Sequence, residues 1–377
     1  MNLAFICTEK LPAPAVKGGA IQLMLDGISP YFSKNYSVTV YSITDPLLPE
    51  RNSENGITYI RFPRLGFSEN VAMDLKEKSF THIHIFNRPS EVCRYKAASP
   101  DSKIILSLHN DMFTTRKLSR EEACEVIDHC DSITTVSEYI KRTVTVRYPQ
   151  AEPKTHVVYS GVDITKFQPV WSVKGQEIRA EWKKKYGLEQ HHKVILFIGR
   201  LSKTKGPDLL IKSMYEIIRH EPDAVLVIVG GKWFSENGLN DYVRHLHEIA
   251  EPIKHKVLFT KYIPAPDIPN ILLMGDLLVC SSQWHEPLAR IHYEAMAAGL
   301  PILTTDRGGN AEVIYNDVNG YVIREYDQKE AFISSITRLL QNTSLSEYFA
   351  KNGRRMVEEK FSFINTAKKL EQIYLNS

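Results

Sequence analysis

Short unbroken apolar runs alternate along this chain with longer stretches in which apolar positions recur every third or fourth residue. Residues 3–7, 38–43, 81–86, 103–108 and 132–136 have the look of buried strands, and 156–159 closes the series. Residues 58–61 form a shorter apolar run of the same kind. Between them lie helical patterns from about residue 19 into the low thirties, with Ile21, Leu25 and Ile28 on one face, then 68–78, 120–129 and 138–147, the last capped by Ser137. A polar, charged stretch over 162–192 reads as a linker, with a basic helix-like segment at 179–186. The theme then restarts. Strand patterns at 194–198, 224–229, 256–259, 276–280 and 302–305 alternate with helical ones at 208–219, 239–249, 267–274 and from about 287 to 298, and Gly308-Gly309-Asn310 leads into a further helix. Polar helices at 327–340, 344–359 and 363–374 end the chain. Strand, loop and helix repeated in two series predict an α/β protein with two Rossmann-like halves.

Composition sharpens this picture only a little. The length of 377 residues suits two domains that each bury a core, and 43% hydrophobic with 24% charged residues is ordinary for a globular protein. Lys and Arg number 47 against 44 Asp and Glu, a net charge of +3, which is too balanced to argue for nucleic acid. The five cysteines (Cys7, Cys93, Cys124, Cys130 and Cys280) are scattered without paired metal-ligand spacing, as expected of a reducing cytoplasm. The opening residues resemble a first strand rather than a signal peptide, and no apolar stretch approaches a bilayer span.

Candidate chemistry gathers where strands end, because ligands of open α/β sheets collect outside the carboxyl ends. After 276–280 come Trp284, His285 and Glu286, then Pro287, suited to the first turn of a helix, with Glu294 further along it. Such a helix start suits a phosphate, Glu294 a ribose diol, and Glu286 a sugar hydroxyl. The eight-residue spacing of two glutamates means little alone. After 194–198 come Gly199, Arg200, Lys205 and Gly206. Arg200 offers a planar fork and Lys205 a mobile point charge to a departing diphosphate. A lone loop cation is usually solvated, but this pair follows a buried strand with glycine on either side. Gly18-Gly19 follows the first strand without forming GxGxxG, so it is no dinucleotide fingerprint. It either permits a tight turn or lets backbone approach a ligand. Arg88 is open between an acceptor or phosphate contact and a solvated loop charge. His109, at another strand end, is by itself more often a structural hydrogen-bonder.

The segment Glu286-Pro287, six residues, then Glu294-Ala295-Met296-Ala297-Ala298-Gly299-Leu300-Pro301, followed by Gly308-Gly309-Asn310-Ala311-Glu312-Val313-Ile314, resembles the signature of glycosyltransferase family 4. Gly199-Arg200-Leu201 with Lys205-Gly206 is similar to the family's G-R-L…K-G. The resemblance covers nearly the whole chain. Lys10-Leu11-Pro12, Asn87-Arg88-Pro89-Ser90 and residues 283–296 are most similar to spore-coat-associated members from endospore-forming bacteria.

The resemblance implies a retaining GT-B enzyme with a cleft between two Rossmann-like domains. It implies an N-terminal acceptor-side domain over 1–165 and a C-terminal nucleotide-sugar domain over 166–377, whose last helix, about 362–376, crosses back. It gives Glu286, His109, Arg200 and Lys205 catalytic roles. Donor binding falls to Gly18, Gly19, Arg200, Lys205, Tyr262, Leu288, Ala289, Arg290 and Glu294, with the base held near Tyr262 largely by backbone. Backbone amides at 288–290 complete the phosphate cradle. The donor is a co-substrate, with a UDP-sugar favoured, and neither metal nor further cofactor is expected, since there is no DxD run. The acceptor is expected to be a glycan of the cell surface or spore coat, and the place of work the cytoplasm, with peripheral membrane or coat association. Ala289 stands where the family typically has glycine, and Trp284-His285 replace small polar residues. Those departures support a second class of function, a structural coat component with little turnover. The joint presence of Arg200, Lys205, Glu286 and Glu294 argues against it. The Trp233-Phe234 pair after Gly230-Gly231 is less usual for the family.

Overall fold

In the computed structural model, residues 1–231 and 240–377 are described. The chain divides into two compact units, Met1–Gly161 with Ser362–Ser377, and Val162–Phe361. The first carries β1 (Asn2–Ile6), α1 (Ala20–Phe32), β2 (Ser37–Ile43), β3 (Arg51–Glu54), β4 (Ile57–Phe62), α2 (Phe67–Lys76), β5 (His82–Phe86), α3 (Val92–Ala98), β6 (Lys103–Leu108), α4 (Arg120–His129), β7 (Ser132–Thr135), α5 (Glu138–Thr145) and β8 (Thr155–Val157). These strands form an eight-stranded sheet in the order β3-β4-β2-β1-β5-β6-β7-β8. All its pairings are parallel except β3 with β4.

Unbroken apolar runs are what a parallel sheet covered on both faces requires, and every residue of β5 is buried. One face packs on Val71, Leu75, Tyr95, Val126 and Ile140 from α2–α5, the other on Met24, Leu25, Ile28 and Phe32 of α1. Ile21, Leu25 and Ile28 are all buried, as their spacing requires. The β3–β4 hairpin is the element that the apolar pattern alone does not reveal, because β3 is mostly exposed. Its signal is Asn55-Gly56, whose φ values of 52° and 76° make the mirror-image turn that suits a twisted hairpin.

The second unit carries α6 (Val173–Lys185), β9 (Lys193–Ile198), α7 (Pro207–His220), β10 (Ala224–Val229), α8 (Asp241–Ala250), β11 (Val257–Lys261), α9 (Ile268–Leu272), β12 (Leu277–Cys280), α10 (Ile291–Ala298), β13 (Ile302–Thr305), β14 (Gly320–Ile323), α11 (Lys329–Gln341) and α12 (Thr343–Lys360). Its six-stranded parallel sheet runs β11-β10-β9-β12-β13-β14. The stretch expected as a linker is instead built into this unit. Ser172 caps α6, Trp182 is buried, and Arg179 pairs with Asp276 at 2.7 Å. Lys183 is buried as well, its ammonium donating to the carbonyls of Gln190 and His192. The basic stretch is therefore a helix whose Arg179 and Lys183 find their partners within this unit. The Trp233-Phe234 pair lies outside the described residues.

The terminal helix α13 (Phe363–Asn376) belongs to the first unit. Ala367, Leu370, Ile373 and Tyr374 enter the α1-side core with Phe5 and Phe32. Tyr374 reaches its hydroxyl to His84 Nδ1 at 2.6 Å, and Glu371 accepts from Tyr31 and Tyr36, each at 2.6 Å.

Candidate active site

Two loops of the second unit are locked together at the carboxyl ends of β9 and β12. Gly206 has φ 67°, and a side chain there would put its first carbon 2.4 Å from the Ser281 carbonyl oxygen. Only glycine fits, so the loop carrying Arg200 and Lys205 lies directly on the backbone after β12. Ser281 Oγ donates to the carbonyls of Lys205 and Gly206, at 2.9 and 3.1 Å, and the Gln283 amide donates to Thr204.

That lock aims Lys205 at Glu286. The ammonium donates to Glu286 Oε1, and the Ser282 hydroxyl donates to the same oxygen at 2.8 Å. Glu286 is buried. Burial pushes its carboxyl up, but the Lys205 charge, with hydrogen bonds from Lys205 and Ser282, outweighs this and holds it below the usual range. The backbone of Glu286 is fixed as well. Its carbonyl accepts from the Gly309 N–H at 2.8 Å, and a side chain at Gly308, whose φ is 69°, would strike that carbonyl at 2.0 Å.

The helix expected from Pro287 starts four residues later, at Ile291. The intervening backbone is already committed. The Ala289 N–H donates to Asn310 Oδ1 at 3.2 Å, and its carbonyl meets His292 Nδ1 at 2.9 Å. Both partners are buried, and His292 Nε2 is held by Thr304 Oγ1 at 2.9 Å. Residues 287–290 therefore run as a pinned loop into α10. Likewise Gly308-Gly309-Asn310 opens only the single turn Asn310–Glu312, not a further helix.

Glu294 stands at the start of α10 beside Arg290, their charged atoms 3.7 Å apart. Burial pushes the Glu294 carboxyl up, and Arg290 offsets this only in part. Burial lowers the Arg290 pKa. The two glutamates thus differ electrostatically: Glu286 is held as a carboxylate, whereas Glu294 carries a desolvation penalty that a hydroxyl donor would relieve.

The other expected residues belong to several elements of the two units. Arg200 follows β9 between the Gly199 and Leu201 amides, which donate to Val229 and Gly231. Tyr262 follows β11, half-buried. His109, Gly18 and Gly19 belong to the first unit. His109 follows β6, its N–H donating to Asn87 Oδ1 at 3.0 Å and its ring tilted against Phe86. Gly19 is the N-cap of α1. Ser282, His292 and Asn310 carry parts of the site that the sequence pattern does not mark. Asn310 lay within the recognised motif, and Ser282 directly follows a strand end.

The description "Glycosyltransferase Family 4" matches residues 28–166, and "Glycosyl transferases group 1" matches residues 178–356. YtcC of Bacillus subtilis (strain 168), whose name carries a provisional assignment as a glycosyltransferase, is 54% identical over 99% of this chain and 92% of its own. Spore coat protein SA of the same organism is 44% identical over 99% of each chain. The chain belongs to this glycosyltransferase family. It is an enzyme of the GT-B fold. The Anabaena HepE structure in complex with UDP and glucose superposes with a TM-score of 0.79 at 20% identity, covering 99% of this chain and 98% of its own. Sucrose-phosphate synthase from Thermosynechococcus elongatus gives 0.80 at 18%, covering 100% and 98%. Among the described residues no helix is long and apolar enough to cross a membrane.

Proposed function

We propose that this glycosyltransferase moves a sugar from a nucleotide-sugar donor, a UDP-sugar by preference, to a surface or spore-coat glycan with retention of configuration. The observation that carries the reading is the Lys205–Glu286 pair, fixed by Ser282 and by the locked 206–281 contact. A buried charge pair costs desolvation that a scaffold has no reason to accept. Beside an anionic donor it supplies a preorganised positive charge and an oriented acceptor. Lys205 and Arg200 neutralise the leaving diphosphate, together with the backbone at Leu288 and Arg290. Glu294 accepts from the ribose hydroxyls, and Glu286 from a hydroxyl of the transferred sugar. The bond from the anomeric carbon to the phosphate oxygen breaks, and the acceptor oxygen bonds to that carbon on the same face. The acceptor's proton goes to the leaving phosphate, so catalysis is positioning and charge stabilisation without a metal. Gly18, Gly19, His109 and Tyr262 keep roles that rest on the family resemblance alone. Structures of HepE with UDP-glucose support the donor class. The 44% identity to Spore coat protein SA supports a coat or surface acceptor.

The test is thermal denaturation against UDP-, GDP- and ADP-sugars with chelator present, followed by a transfer assay read by anomeric proton coupling. A selective upward shift and a product with the donor's configuration are expected. An inverted product overturns the mechanism, and no shift with any sugar nucleotide overturns the donor-binding reading.

A further inference from the structure

A second cluster of chemically competent side chains lies in the first unit. Cys93 sits on α3, and Glu125 and His129 sit on α4. The α4 pair are four residues apart and so share one helix face. Cys93 Sγ lies 4.0 Å from His129 Nδ1, and one ligand atom from each of the three residues lies within 4.8 Å of the others. Glu125 is exposed and the other two are half-buried, so the cluster is open to solvent. His129 Nδ1 is also 2.8 Å from the Glu125 carbonyl. A carbonyl can only accept, so without a cation this bond places the ring proton on Nδ1, the nitrogen that faces Cys93; a cation bound at Nδ1 takes the place of that proton, which moves to Nε2.

From this geometry we propose that Cys93, Glu125 and His129 form a binding site for a divalent cation of the zinc class, which fastens α3 to α4. One thiolate, one imidazole and one carboxylate are a donor set that selects zinc over magnesium or calcium. A tetrahedral ion with bonds of about 2.0–2.3 Å holds its ligand atoms about 3.3–3.8 Å apart. The side chains therefore need to draw in by about 1 Å from their 4.8 Å limit, within reach of rotamer adjustment. Three protein ligands leave one position for water. Binding forms one bond each from the cation to Cys93 Sγ, His129 Nδ1 and a Glu125 carboxylate oxygen, and releases the thiol proton to solvent. The site stands on residues outside the proposed transfer chemistry, so either reading survives the failure of the other.

The experiment titrates cobalt(II) chloride into the full-length reduced enzyme and follows absorption. One equivalent should give a thiolate-to-cobalt charge-transfer band and intense tetrahedral visible bands, both removed by zinc chloride. Cys93→Ser should abolish the charge-transfer band, and Cys124→Ser should leave it. Glu125→Gln, which removes a ligating carboxylate, should weaken cobalt binding by at least the about 10- to 100-fold that loss of an outer-shell partner costs. In the unmutated protein, zinc should slow iodoacetamide alkylation of Cys93, read by peptide mass spectrometry, so the test does not depend on any variant folding. No thiolate band at millimolar cobalt, a band that persists in Cys93→Ser, or unchanged alkylation of Cys93 would overturn the proposal.

Discussion

The Lys205 ammonium and the Glu286 carboxylate are paired across 81 positions of sequence, with the Ser282 hydroxyl on the same carboxylate oxygen. Neither group is stable alone in that setting. Lys205→Ala leaves a buried carboxylate without its counter-charge, a change that typically costs about 3–5 kcal/mol. Urea denaturation should show that loss. Lys205→Arg should recover part of the stability but less of the transfer rate, because the planar fork cannot replace a point charge in this pocket.

Glu286→Gln keeps the shape and removes the charge. Transfer should fall by about 10²-fold or more, the scale seen when one oriented electrostatic group is lost from an active site. Nucleotide affinity should change little. Calorimetry with the parent diphosphate separates the two effects, and a comparable loss of diphosphate affinity would contradict the sugar-side role.

Glu294→Gln should trade binding for stability. Burial raises this carboxyl in the folded state, so its ionisation works against folding as pH rises above the unfolded glutamate value. The unliganded variant should therefore be more stable than the parent at neutral pH and should lose that part of the pH slope. Its nucleotide affinity should fall. A variant that is both less stable and fully able to bind would remove the ribose assignment.

Asn310→Ala and Gly308→Ala attack the pinned loop from two sides. Removing the Asn310 acceptor leaves the Ala289 N–H unpaired, a loss of about 1–3 kcal/mol when the group is buried. Alanine at Gly308 meets the Glu286 carbonyl at 2.0 Å in a left-handed conformation, so the loop must move, again at about 1–3 kcal/mol or more. Both should raise the KM for donor more than they lower kcat if residues 286–290 position the donor.

His84 should make the first unit acid-sensitive. Burial, then the neighbouring His109 and His82, push its pKa down to about 3. The unfolded chain takes up the proton near pH 6.5, so stability is fully present above that value. It is lost progressively as pH falls toward about 3. Urea midpoints measured across pH 4–7 should decline by several kcal/mol in equivalent stability. His84→Asn should flatten that decline, and an unchanged slope would place the acid sensitivity elsewhere.

Much of the fold is legible in the apolar pattern. Buried parallel strands announce themselves because both faces are covered, as in β5 and β10, where every residue is buried. Helices with a single apolar face, such as α1, do so through their period. The exposed β3 carries no such signal and is marked only by its turn. The segment before α10 misleads for a different reason. Pro287 and the apolar residues after it favour a helix locally, but Asn310, 21 positions on, takes up the Ala289 N–H, and this tertiary hydrogen bond overrides that preference.

The sequence by itself determined two strand–loop–helix series, the strand ends at which Arg200, Lys205, Glu286 and Glu294 cluster, and the family. Those are local properties: runs, periods, turn residues and contiguous motifs. Tertiary structure alone decided that Lys205 points at Glu286, that the charged 173–185 stretch packs as α6 rather than linking domains, and that Cys93 meets Glu125 and His129. Each is a contact between residues far apart in the chain. Which partner a buried charge or an apolar helix face finds depends on the packing of whole layers, and no local pattern encodes it.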